Sequence, residues 1–117
     1  MNIELYDTTL RDGAQQSGIS LSLKDKINIT LKLDELGIPT IEGGYAGSNP
    51  KDDEYFKLIQ KENLSNSTIS AFGSTRKPNS KIESDKIVNA MLSSEAKTLA
   101  VVGKSSSKQV EKVLETT

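Results

Sequence analysis

The sequence predicts a parallel α/β fold of four strand–helix units, and three observations carry that prediction. Short β-type apolar runs occur four times, at residues 3–6, 38–41, 68–72 and 98–102. Each is followed by a polar loop rich in Gly, Ser, Asn or Pro and then by a stretch with helical periodicity. The runs start roughly 30–35 residues apart, the length of a strand plus a crossover helix, and that repeat builds a parallel sheet with right-handed connections.

The first helix is bounded at both ends. Ser22 and Asp25 form a capping-box pair, in which the Ser oxygen accepts an orphan N–H and the acid answers the positive helix end. Gly37 and Pro39 stop it, because Gly tolerates the left-handed position past a helix and Pro cannot continue one. Leu23, Ile27 and Leu31 make one apolar seam, widened by Ile29, Leu33 and Leu36, a face broad enough for a helix laid on a sheet between neighbours. The second helix begins at Asn49-Pro50, with Asn as cap and Pro at the first helical position, where its missing N–H costs nothing. Asp52, Asp53 and Glu54 suit its N-terminus, and Tyr55, Phe56, Leu58 and Ile59 supply its buried side. Ile87, Val88, Met91 and Leu92 give the stripe of the third helix. Val110, Val113 and Leu114 give that of the fourth, after a Ser105-Ser106-Ser107 start. All these stripes read as core packing.

The 117 residues carry a net charge of −1, and Leu, Ile, Val and Phe make up about a quarter of them, enough for a modest core. No apolar run approaches a membrane span, and the Met1-Asn2-Ile3-Glu4 start has neither half of a signal peptide, so a cytoplasmic location is expected. Interleaved acids and bases with five scattered aromatics disfavour nucleic-acid binding. The chain has no Cys and no His, which excludes disulfides, thiolate metal sites and the commonest general base. Any chemistry rests on carboxylates, Arg, Lys, hydroxyls and amides.

Four βα units fit either a small doubly wound sheet or the N-terminal half of a (β/α)8 barrel, and composition leaves both open. In either architecture ligands bind at the C-terminal strand ends, so the loops there decide function. Val101-Val102-Gly103-Lys104-Ser105 suggests a phosphate loop, but Thr98 stands where its first Gly must be. Gly43-Gly44-Tyr45-Ala46-Gly47 lacks the dinucleotide spacing and follows the second strand instead of the first. The loop after the first strand, Tyr6-Asp7-Thr8-Thr9-Leu10-Arg11-Asp12-Gly13-Ala14-Gln15, is dense in polar groups. Arg11 and Asp12 read either as a solvated charge pair or as chemistry, with a strand-end carboxylate holding a hard cation and an adjacent Arg stabilising an oxyanion.

The segment Asp7-Thr8-Thr9-Leu10-Arg11-Asp12-Gly13-Ala14-Gln15 resembles the signature of the metal-dependent family of 2-isopropylmalate, homocitrate and citramalate synthases and hydroxymethylglutaryl-CoA lyase. The stretch from Ile41 through Gly43-Gly44-Tyr45-Ala46-Gly47 to Asp52, and Ala71-Phe72-Gly73-Ser74-Thr75-Arg76, are similar to the citramalate synthase branch. The resemblance implies that residues 1–117 are the N-terminal part of a TIM-barrel catalytic domain. It implies an acyltransferase that condenses acetyl-CoA with pyruvate to give citramalate, on the route to isoleucine. A divalent cation (Zn, Mn or Mg) is implied as cofactor, and a homodimer as the intact enzyme. On the same basis Asp12 is the metal ligand, Arg11 and Glu42 are catalytic, and Arg11, Gln15 and Arg76 contact substrate. Glu42 reads equally as a buried acid satisfied by a neighbour. The His-x-His pair that completes the metal site in relatives is absent, so the chain by itself is expected to be inactive and prone to associate. A related Claisen-type synthase or retro-Claisen lyase, or a non-catalytic assembly module, are the other readings.

Overall fold

A computed structural model describes residues 1–116. Four strands, β1 (Tyr6–Asp7), β2 (Thr40–Tyr45), β3 (Thr68–Ser74) and β4 (Thr98–Val102), form one parallel sheet in the order β1-β2-β3-β4. Each is followed by a helix: α1 (Leu23–Glu35), α2 (Pro50–Ile59), α3 (Lys86–Ser93) and α4 (Ser107–Lys112). Consecutive parallel strands in sequential order, with α1, α2 and α3 as the crossovers between them, are the pattern of half a (β/α)8 barrel; a doubly wound sheet would reverse its strand order.

The local signals hold where they are chemical. Ser22 and Asp25 form the reciprocal capping box, and Asn49 accepts the Asp52 N–H with Pro50 opening α2. Gly37 takes φ +79° just past α1. Two strands are displaced from their apolar runs. β1 pairs on one side only and contracts to two residues, leaving Ile3 and Leu5 exposed. β2 starts later and continues past Glu42 through Gly43, Gly44 and Tyr45, which sequence alone placed in the turn after the strand. A Cβ on Gly43 would lie 2.2 Å from Tyr55 Cε1, and one on Gly44 2.7 Å from Asp52 Cγ, so the missing side chains let α2 press onto the strand. The β2–β3 register slips between Glu42 and Gly44 at this point.

The core lies between the sheet and its helices, with Ile41, Ile69 and Ala71 from the strands against Tyr55, Phe56, Ile59 and Met91. α1 departs from expectation. Its buried residues are Lys26, Thr30 and Asp34, a polar seam at helical spacing, whereas Leu23, Ile27, Ile29, Leu31 and Leu33 flank it half-buried and Leu36 is exposed. The seam is satisfied throughout. Lys26 pairs with Asp52, Thr30 Oγ1 lies 2.8 Å from the Tyr55 hydroxyl, and Asp34 accepts the N–H groups of Ser65, Asn66 and Ser67 at 2.7–2.9 Å. Those backbone donors hold the Asp34 carboxyl below the usual range. In α3 only Met91 of the stripe is buried, Leu92 facing solvent at 67% exposure. Among the described residues no helix is long and apolar enough to cross a membrane.

Candidate active site

Strand alternation sets the site. Ile41 and Ile69 point toward the helices, so their neighbours Glu42 and Ser70, which are register partners, point to the opposite, concave face. Tyr6 is in register with Thr40, two residues before Glu42, and Phe72 lies two residues after Ser70, so both share that face. The β1 loop then turns back over it through a tight turn in which the N–H groups of Arg11, Asp12 and Gly13 all reach Thr8 O. Asp7 braces the loop entrance by accepting the Thr9 N–H and hydroxyl, both at 3.0 Å.

This fold-back delivers Arg11 onto Glu42. Arg11 Nε donates to Glu42 Oε1 at 2.5 Å, Nη1 donates to Asp12 Oδ1 at 3.1 Å, and the guanidinium lies 4.1 Å from the centroid of the Phe72 ring. Glu42 is nearly sealed, its side chain 3% exposed, and its second oxygen accepts the Tyr6 hydroxyl at 2.6 Å. Ser70 Oγ lies 2.8 Å from the same hydroxyl. Burial, reinforced by the bond to Glu42, pushes the Tyr6 phenol up to about 12. The second guanidinium nitrogen, Nη2, donates to no atom among the described residues.

The expected site residues fall into two sets. Arg11, Asp12 and Glu42 come together. Gln15 lies exposed in the short turn Gly13–Gln15, where with Arg11 it borders a cleft of about 190 Å³ between the β1 loop and the start of α2. Arg76 follows β3 at the same sheet end, but it is exposed and its Nη1 donates to Ser80 O at 2.7 Å, within its own loop. Tyr6, Ser70 and Phe72 complete the cluster and were missed from sequence. Alternation along β3, with Ser70 and Phe72 opposite Ile69 and Ala71, is the signal that points to two of them.

Asp12 is one carboxylate at 66% side-chain exposure, and among the described residues no group of three His, Cys, Asp or Glu could hold a metal ion. A catalytic cation needs several protein ligands, and Asp12 is a single donor toward one. What Arg11, Asp12 and Glu42 do make is a rigid cationic donor at the strand ends, backed by a buried carboxylate.

A βα-barrel-type domain with a partly buried Arg11–Glu42 ion pair at the C-terminal ends of its strands is the class this fold and cluster define. The HMGL-like family model matches residues 2–117, and the chain belongs to that family. It is 54% identical over 101 residues to the (R)-citramalate synthase of Synechocystis sp., covering 86% of this chain and 18% of that protein. It is 50% identical over 113 residues to the (R)-citramalate synthase of Sulfolobus acidocaldarius, covering 97% and 22%. Identity to a 2-isopropylmalate synthase of Listeria monocytogenes is 49% over 59 residues, half of this chain and 12% of that protein. The chain thus spans about a fifth of the length of the citramalate synthases it matches.

Proposed function

We propose that this chain forms the keto-acid-receiving part of a citramalate synthase, an acyltransferase that condenses acetyl-CoA with pyruvate. The observation that carries the reading is the Arg11 guanidinium, fixed on three sides by Glu42, Asp12 and Phe72 with Nη2 left without a protein partner. A planar donor held this way can follow the pyruvate keto oxygen as it becomes an alkoxide, at no reorganisation cost in the reacting state. Glu42 has both oxygens engaged, so it serves as a positioning residue that keeps Arg11 in orientation, and the Tyr6 hydroxyl holds Glu42 in turn. Asp12 is one donor toward the divalent cation that would polarise the keto acid, with further ligands and the base that deprotonates acetyl-CoA supplied by residues this chain does not carry. Gln15 borders the same cleft as a secondary substrate contact. Arg76, tied into its own loop, would have to release Ser80 O to reach a substrate. A cytoplasmic location, a homodimeric whole enzyme and a place in isoleucine synthesis belong to the same reading.

The test is a chimera in which this chain replaces the matching segment of the Sulfolobus acidocaldarius citramalate synthase. Release of free CoA is followed with acetyl-CoA and a panel of keto acids. Turnover selective for pyruvate is expected. Selectivity for a larger branched keto acid would favour the 2-isopropylmalate synthase reading, and a folded chimera inert with every keto acid would favour a non-catalytic module.

A further inference from the structure

Asp52 is the third residue of α2, and its own N–H already donates to Asn49 Oδ1 at 2.8 Å. Its side chain turns inward, 11% exposed, and divides its two oxygens between two other elements. One pairs with Lys26 of α1, whose side chain is 2% exposed, and the other accepts the Tyr45 N–H of β2 at 2.9 Å. That N–H points away from β3, since Ala46 is the residue that donates to Phe72 O, and β1 stops at Asp7, opposite Ile41. Asp52 therefore supplies the acceptor that no strand provides. The helix comes this close because Gly44 has no side chain, a Cβ there lying 2.7 Å from Asp52 Cγ. Tyr45 in turn is the register partner of Phe72, and the two rings meet edge to face with centroids 5.0 Å apart. The Arg11 guanidinium rests over that Phe72 ring at 4.1 Å, so two carboxylates hold its edge and an aromatic ring backed by Tyr45 holds its face.

We infer that Asp52 is a positioning residue for Arg11: with its charge balanced by Lys26, its carboxylate fixes Tyr45 at the end of β2, and the Tyr45 ring keeps Phe72 against the guanidinium. A carboxylate is required because both of its partners are donors. An Asn in its place has one acceptor oxygen and would turn its NH2 toward either the Lys26 ammonium or the Tyr45 N–H. Asp53 supplies the contrast. It closes the same turn by accepting the Gly47 N–H at 2.7 Å, so it shares the structural task without holding Tyr45. The placement of Arg11 follows from the contacts alone, whereas its consequence for turnover rests on the reading of Arg11 as the donor to the keto oxygen.

The test labels arginines with phenylglyoxal in the Sulfolobus acidocaldarius chimera, without substrate, and reads Arg11 by peptide mass spectrometry against the exposed Arg76 as internal reference. Asp52→Asn is expected to raise the labelling rate of Arg11 about fivefold, the scale of losing one aromatic contact, with Arg76 unchanged. Tyr45→Leu leaves the Asp52–Lys26 pair and the backbone bond in place and is expected to do the same; it carries the comparison should a thermal melt show Asp52→Asn unfolded. Asp53→Asn is expected to leave Arg11 at its native rate. Steady-state kinetics on the same samples are expected to show kcat lowered about fivefold by the first two variants, with a smaller change in the KM for pyruvate. Native labelling of Arg11 in either folded variant, or an equal rise in Asp53→Asn, would overturn the inference. Raised labelling with native kcat would uphold Asp52 as the residue that positions Arg11 and would remove instead the assignment of Arg11 to the keto oxygen.

Discussion

Arg11 is held in place by its neighbours more than by its own loop. Its guanidinium is oriented by a carboxylate at 3% exposure, and that carboxylate is held by a phenol from the neighbouring strand. Tyr6→Phe removes the donor to Glu42 Oε2 and leaves a buried acceptor short of a partner, so it is expected to lower stability by about 1–3 kcal/mol in denaturant titrations. The same phenol sets an alkaline limit. Its folded pKa of about 12 exceeds the unfolded value of 10, so the stability it contributes is complete below pH 10 and is lost as pH rises toward 12. Unfolding midpoints measured from pH 9 to 12 are expected to fall for the native chain and to fall less steeply for Tyr6→Phe. Arg11, Asp12 and Glu42 were singled out in the sequence by the resemblance of the loop and strand-end segments to a family signature, and the structure brings the three side chains together. Tyr6, Ser70 and Phe72 were not singled out, because a single polar or aromatic residue on a strand declares its role only once register sets its neighbours.

At the scale of elements, the helix caps and glycine stops were read correctly because they are local chemistry. The buried side of α1 was not, since its Leu and Ile content points to a flank while tertiary structure buries Lys26, Thr30 and Asp34. Lys26→Met is expected to cost about 3 kcal/mol, because it leaves the Asp52 carboxylate buried without its cation. Gly43 and Gly73 make a matched pair of tests. A Cβ at either would come within 2.2–2.3 Å of a side-chain atom, Tyr55 Cε1 in one case and Met91 Sδ in the other. The Tyr55 ring is buried and its hydroxyl is fixed by Thr30, whereas the unbranched thioether of Met91 can change rotamer. Gly43→Ala is therefore expected to destabilise by about 1–3 kcal/mol and Gly73→Ala by less, as thermal melts of the two variants side by side will show.

At the scale of the molecule, the spacing of apolar runs was enough to read four parallel βα units, and sequential strand order settles the barrel arrangement over the doubly wound one. The extents of β1 and β2 were not legible, because Tyr6 is in register with the first residue of β2, which leaves residues 3–5 opposite the Gly37–Pro39 turn, and the approach of α2 to a Gly-Gly segment lengthens the second. The molecule also brings the β1 loop, the middle of β2 and β3 onto one concave face, which makes Arg11 a rigid donor instead of a mobile surface charge. Its most direct test is steady-state kinetics of Arg11→Lys in the Sulfolobus acidocaldarius chimera, with a thermal melt beside it. Lysine keeps the charge but lacks the planar fork, so kcat is expected to fall about 10²–10³-fold, or roughly 3–4 kcal/mol, with a smaller change in the KM for pyruvate. A folded Arg11→Lys chimera with near-native kcat would contradict the assignment of Arg11 to the developing alkoxide.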